Sequence, residues 1–261
     1  MRTIESRQNP LLKTIRSLGE KKNRRETGLF LLEGKRILET ALQLNAPLKH
    51  LLVGENCSDK QLVKALAPLA EEVYQAPGEL LEYASGVKTS QGILATSPLP
   101  QPLKPETIRP QGIYLLLENI SDPGNLGTVI RLCWGAGVSG LMLAGNCVDI
   151  YDPKVVRSTA GGILKVPVYH FPNGGAAIDF CLKKGIRPYL TCCREAKAYH
   201  QVKYQTPLVL CFGSEAHGLT PELLKAVDHA EKITIPLEPG VDSLNLATSC
   251  AVILYRTKFP D

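Results

Sequence analysis

The chain has 261 residues, 44% apolar and 21% charged, an ordinary globular balance that excludes disordered, collagenous and coiled-coil classes. The length suits one or two domains, each able to bury a sizeable core. The net charge of +5 is modest but localised: residues 1–36 hold ten Lys/Arg against four Glu, and the rest holds 20 basic against 21 acidic residues.

In chain order, short apolar runs alternate with amphipathic helical patterns. Periodicity predicts helix near 9–19, strand 29–32, helix 34–44, strand 48–53, helix 59–67, strand 72–75, a short helix near 78–84 and strand 92–96. Pro98 to Pro110 then holds five prolines in thirteen residues and reads as a semi-rigid connector. The expected division is therefore a domain over 1–97, a linker over 98–110 and a domain over 111–261. Beyond the linker come strand 112–117, helix 125–135, strand 139–144, helix 153–160, strand 166–169, helix 175–185 and strands 187–191 and 207–212. Helix 220–227, strand 232–235 and helix 243–256 complete the chain. Strands such as Ile113-Tyr-Leu-Leu-Leu117 are apolar throughout, as a sheet covered on both faces requires. Both domains are expected to be α/β, the second with a parallel sheet.

No apolar run approaches the ~18–20 residues that span a membrane, and the first ten residues lack a secretory pattern, so a cytoplasmic protein is expected. None of the eight cysteines forms a Cys-x-x-Cys pair, which removes the usual structural zinc and thioredoxin patterns. Cys192-Cys193, near His200, is the one place to look for a metal, and none is expected. In the basic N-terminal segment Arg7, Lys13, Lys21, Lys22, Arg24, Arg25, Lys35 and Arg36 are candidate contacts for a polyanion, RNA foremost. Charge alone fits a solvated terminus equally well.

Three segments follow buried strands of the second domain, where open α/β sheets bind ligands. In Asn119 to Arg131, Asp122-Pro-Gly is a turn and a helix follows. Arg131 lies off its apolar stripe, bracketed by Gly127 and Gly135, which suggests a close approach to the backbone there. In Leu208 to Gly218, a buried strand ends in Gly213-Ser-Glu215, and glycines there let a ligand touch main chain. In Ile233 to Ala251, a Pro/Gly loop leads to a helix capped by Asp242 or Ser243, whose free N–H groups suit an anion. Asn245, just inside, is not explained by capping. Gly135-Ala-Gly-Val-Ser-Gly140 matches the dinucleotide fingerprint, but helix precedes it and strand follows, the inverse of the required context, so NAD and FAD are excluded.

At these segments the sequence resembles the SpoU/TrmH family of RNA ribose 2′-O-methyltransferases, within the SPOUT superfamily. Asp122-Pro-Gly-Asn-Leu-Gly with Arg131 is similar to the first family motif, Gly213-Ser-Glu215 with Gly218 to the second, and Ile235-Pro236 with Ser243-Leu-Asn245 to the third. Ala216-His217 departs from the second, which more often continues with glycine. Ser6 to Lys13, Arg25 and Phe30-Leu-Leu-Glu-Gly34 are similar to the L30e-like substrate-binding domain of rRNA-modifying members. The resemblance implies S-adenosyl-L-methionine as methyl donor, a homodimer and a C-terminal trefoil knot. It places Gly213, Ile235 and Leu244 around the cofactor, and Asn125, Arg131, Glu215, Ser243 and Asn245 around the ribose and its phosphate. Arg131 is either a general base with a depressed pKa or a clamp on the neighbouring phosphate. Large-subunit (23S-type) rRNA is the expected substrate; tRNA, or a non-catalytic RNA-binding or ribosome-assembly role, is the alternative.

Overall fold

The computed structural model describes residues 1–192, 196–225, 227 and 230–260. Its elements are β1 (Arg2–Thr3), α1 (Pro10–Ser17), α2 (Lys21–Thr27), β2 (Leu29–Glu33), α3 (Lys35–Gln43), β3 (Leu48–Gly54), α4 (Lys60–Leu66), β4 (Ala70–Ala76), α5 (Gly78–Ser85) and β5 (Ile93–Pro98). Then follow β6 (Ile113–Glu118), α6 (Pro123–Ala136), β7 (Gly140–Ala144), α7 (Pro153–Ser158), β8 (Val168–Phe171), α8 (Gly174–Lys183), β9 (Arg187–Thr191), β10 (Lys197–Ala198), β11 (Leu208–Phe212), α9 (Pro221–Lys225), β12 (Glu231–Thr234) and α10 (Leu246–Lys258). No helix among the described residues is long and apolar enough to cross a membrane.

The chain forms two compact units, residues 1–101 with 149–164 and residues 102–148 with 165–261. Residues 149–164, which the sequence division assigns to the second domain, thus pack in the first unit, because their anchoring side chains find partners there. Tyr151 lies against Phe30 at 4.9 Å between ring centroids, and Arg157 pairs with Glu33 at 3.2 Å.

The first unit is built on a five-stranded mixed sheet, β1-β4-β3-β5-β2, in which β3 and β4 are parallel and β5 runs against both of its neighbours. Helices α1 and α5 cover one face through Leu12, Ile15, Leu80, Leu81 and Ala84, packed on Leu31, Leu52 and Leu94 of the sheet. Asn9 starts α1 by accepting from Leu11 N, and Pro10 supplies the fixed φ of the first turn. Helix α2 is absent from the sequence prediction because Lys-Lys-Asn-Arg-Arg-Glu-Thr contains no apolar residue and so has no period to read.

The second unit carries a seven-stranded sheet, β10-β12-β9-β11-β6-β7-β8, parallel at every pairing. All six residues of β6 and all five of β7 and of β11 are buried, as unalternating apolar strands predict. Strand direction decides where the loops go. The chain runs from β6 outward through β7 to β8, then returns to build β9 and β11 on the other flank of β6. The loops after adjacent β6 and β11, and the loop after β12, therefore open at one carboxyl edge, at the point where strand order reverses.

Candidate active site and basic surface

Helix α6 begins at Asp122, whose carboxylate accepts from Asn125 N at 2.7 Å, with Pro123 at the first helical position. This turn holds the Asn125 side chain where the second and third loops meet it. Asn245 Nδ2 donates to Asn125 Oδ1 at 2.8 Å, and Asn125 Nδ2 donates to Glu215 Oε1 at 2.8 Å. The three loops are therefore joined by one chain of hydrogen bonds. Its polarity is set at one end. Asn245 Oδ1 accepts from Ala247 N at 2.9 Å and Thr248 N at 3.3 Å, the free donors of α10. With that oxygen committed to the helix, only the amide NH₂ can face Asn125, so Asn125 must present its own NH₂ to Glu215. The second oxygen of Glu215 has no partner among the described residues.

This corrects the expected start of the last helix. Asp242 and Ser243 lie before it, and Asn245 is the cap. The same side chain thus answers both the free helix donors and the bond to Asn125.

The second loop is shaped by main chain. Ser214 and Gly218 exchange N–H to carbonyl bonds at 3.0 and 2.9 Å, and Gly218 has φ +68°. A Cβ at Gly213 would run into the Gly218 carbonyl group. The first glycine is required by the chain's own approach, beside any ligand's. Ala216 and His217 sit at the exposed tip without positive φ, so the departure from the family pattern strains nothing.

Sequence reasoning missed Glu118, the last residue of β6. Its carboxylate, 2% exposed, accepts from Thr220 N and Thr220 Oγ1 at 2.9 Å each and from Gly174 N at 3.2 Å. It thereby ties the exit of the Glu215 loop and the start of α8 to β6. An acidic residue ending a wholly apolar strand is the signal that marks it.

A cleft of 1160 Å³ opens at this edge. Gly213, Ile235 and Leu244 line it, and so do Glu215, Ser243 and Asn245. Asn125 reaches this group only through its bonds. Arg131 does not join it: six residues beyond Asn125 on α6, it projects about a third of a turn away, exposed and without a hydrogen bond or ion pair to any described residue. Ser243 is likewise exposed and bonded to no described residue. At Gly135 a Cβ would stand 3.4 Å from the Tyr255 Oη of α10, an ordinary contact with the end of a flexible side chain, so the close approach expected near Arg131 is not met there. Among the described residues no three His, Cys, Asp or Glu side chains group as metal ligands, and Cys193 lies outside the described residues.

In the first unit Lys13, Lys21, Lys22, Arg25 and Arg36 are exposed. Lys35 is exposed too, but it is paired with Asp59 at 2.7 Å and Glu39 at 3.8 Å, and the Asp59 contact raises its pKa. Arg7 and Arg16 lie over the Tyr83 ring at 5.4 and 4.6 Å. Arg24 corrects the expectation that it holds RNA. It is 2% exposed and donates to the carbonyls of Leu18 and Gly19 and to Asp149 at 2.7–2.9 Å.

Both parts of the chain are similar to known proteins. Residues 112–255 match the SpoU rRNA Methylase family, and residues 9–95 match the MRM3-like substrate binding domain. A Synechocystis protein described as an uncharacterized tRNA/rRNA methyltransferase is 33% identical over 98% of this chain and 93% of its own. The Bacillus subtilis 23S rRNA (guanosine(2553)-2′-O)-methyltransferase RlmP is 29% identical over 99% of this chain and all of its own. The AdoMet-bound rRNA methyltransferase of Sinorhizobium meliloti superposes with a TM-score of 0.88 at 28% identity, covering 98% of this chain and 97% of that one. A parallel sheet with three loops joined at its carboxyl edge, and a family match over residues 112–255, lead to one conclusion: the chain belongs to the SpoU rRNA Methylase family.

Proposed function

We propose that the protein transfers a methyl group from S-adenosyl-L-methionine to a ribose 2′-hydroxyl of large-subunit rRNA, as a cytoplasmic homodimer whose last two loops form a trefoil knot. The observation that carries this reading is the Asn245–Asn125–Glu215 chain at the mouth of the cleft.

The cleft suits the methyl donor. Between residues 236 and 244 the only backbone hydrogen bond among the described residues is Val241 N to the Glu238 carbonyl, so main-chain donors and acceptors remain open to an adenine edge. Ile235, Leu244 and Leu246 supply apolar surface beside them. Bound there, S-adenosylmethionine supplies an electrophilic sulfonium methyl group. The chain's own residues orient and relieve the nucleophile. Glu215, held by Asn125, keeps one carboxylate oxygen to accept the hydrogen bond of a ribose hydroxyl, to steer its lone pair toward the cleft and to take up the proton that the hydroxyl gives up. Ser243, exposed at the rim, donates to the sugar or its phosphate. Arg131 is read as a clamp on the neighbouring phosphate, since a guanidinium scarcely deprotonates and its planar fork fits phosphate oxygens. Arg131→Lys should then lower turnover by about tenfold or more, and near-complete retention would remove the bidentate clamp. Exposed Trp134 on α6, at 36%, with Tyr255 and Phe259 of α10, at 44% and 57%, supports self-association through that face. The exposed cations of the first unit would hold structured RNA by its phosphates.

The decisive experiment offers labelled S-adenosylmethionine with unmodified large-subunit rRNA, and bulk tRNA in parallel. Label recovered in rRNA as an alkali-resistant dinucleotide is expected. Label in tRNA alone overturns the substrate, and failure to bind S-adenosylmethionine overturns the enzyme.

A further inference from the structure

Helix α2 has nothing apolar with which to pack, no side-chain cap, and four cations in seven residues. Repulsion between Lys21 and Arg25, four residues apart, works against it, and the exposed Lys22–Glu26 pair at 3.7 Å offsets that repulsion by a similar small amount. Its one buried residue is Arg24. At 100° per residue Lys21, Arg25 and Lys22 fall within about 100° of arc, and Arg24 lies about 110° from the middle of that arc. One side of the helix is therefore a row of exposed cations, and the helix is held down by Arg24 on its flank and by Asn23 opposite, whose Nδ2 donates to the Ser17 carbonyl at 3.0 Å.

The arginine is anchored at both ends of its guanidinium. Nη1 donates to the Leu18 and Gly19 carbonyls at the end of α1, and Nη2 donates to Asp149 Oδ2 at 2.8 Å. Asp149 is fixed in turn by the Tyr151 N–H at 3.1 Å, and Tyr151 packs on Phe30. Arg24 Nε is the one buried side-chain polar atom among the described residues without a partner. A desolvated charge with an unmet N–H is a costly anchor, which an RNA-facing arginine would have no reason to be.

We propose that the Arg24–Asp149 pair is a positioning pin that presents Lys21, Lys22 and Arg25 as one phosphate-binding face, so that binding of polyanionic RNA requires an acidic residue 125 positions beyond Arg24. This rests on the reading that the basic N-terminal segment holds RNA. Elementary electrostatics predicts the opposite sign, because removing a carboxylate beside a polyanion site strengthens binding.

The test measures binding of the full-length protein to a structured large-subunit rRNA fragment across a salt series. Asp149→Asn is expected to weaken binding about tenfold and to flatten the salt slope by about two, as if most of three phosphate contacts were lost. Its KM for RNA should rise while kcat and S-adenosylmethionine binding stay unchanged. Arg24→Lys, which keeps the charge, should behave alike. Glu26→Gln, an exposed acid on the same helix, should bind as tightly as the parent or tighter. The combined Lys21→Ala, Lys22→Ala and Arg25→Ala variant separates the two layers of the reading. If it weakens binding and Asp149→Asn does not, the pin is overturned and the RNA grip stands. If it leaves affinity and slope unchanged, the grip fails and the pin with it. Should Asp149→Asn lose its circular dichroism signal, Arg24→Lys decides, and unchanged affinity there overturns the pin.

Discussion

Each unit buries a full charge at 2% exposure, Arg24 in the first and Glu118 in the second, and the two are held by opposite ends of helices. Arg24 meets carbonyls just past the end of α1, where the helix dipole is negative. Glu118 meets the N–H of Gly174, the first residue of α8, and of Thr220, just before α9, where it is positive. They differ in completeness. Glu118 needs no counterion because three donors satisfy it, whereas Arg24 needs Asp149 and still leaves Nε unmet. The acid shapes a loop of the candidate active site; the base holds a helix whose other residues, half-buried Asn23 apart, face solvent. A charged residue read in isolation as a ligand contact can instead be the support beneath the contacts.

The comparison is sharpest in stability. Glu118→Ala should reduce the unfolding free energy by about 3–5 kcal/mol, because it strands the Thr220 and Gly174 donors in a dry site. Arg24→Met should cost less, about 2 kcal/mol, because Asp149 retains 19% side-chain exposure and can recruit water. Denaturant titration ranks the two, and the reverse order would break the contrast.

Within the second unit, Asn245→Asp separates the two duties of the helix cap. Aspartate caps as well as asparagine, so stability should hold within about 0.5 kcal/mol. It cannot donate to Asn125, and if Asn125 turns to satisfy it, the Asn125 oxygen faces Glu215. Turnover should fall about ten- to a hundredfold in single-turnover methyl transfer, a rise of about 1.4–2.7 kcal/mol in the barrier. Unchanged turnover would reduce Asn245 to a cap.

The smallest effect lies in the first unit and is pH-dependent. Burial lowers the pKa of His50 from its ordinary 6.5, against the pull of Glu72, and its Nδ1 lies 2.8 Å from Thr96 Oγ1. The unfolded chain therefore binds the proton more readily. His50 contributes stability above about pH 6.5 that declines as acid takes the pH below that value and levels off beneath the folded pKa. Thermal unfolding of His50→Gln should lose this decline between pH 7 and 5; an unaltered profile would assign it elsewhere.

Much of this molecule was legible in its sequence. Apolar periodicity located the principal strands and helices of both units, because burial on a sheet imposes a repeat that one chain displays by itself. Glu215 and Asn245 stood out as polar residues following apolar strands, the family resemblance added Asn125, and the structure bonds the three together. Helix α2 was invisible because its support is a charge rather than a stripe. Arg24 and Arg25 are adjacent and alike in sequence, and opposite in fate. Residues 149–164 read as part of the second domain because a linear pattern carries no record of which core a segment enters.

The sequence by itself determined the α/β class, the runs that become strands, and the three loops that carry polar chemistry, since each depends on residue type and spacing along one segment. Tertiary structure alone decided that Asn245 both caps α10 and donates to Asn125, that Glu118 clamps the second loop, and that Arg24 is a pin while Arg131 stands apart from the cleft. Hydrogen bonds and ion pairs between residues 90–125 positions apart depend on distances of a few tenths of an ångström, and only the packed chain sets those.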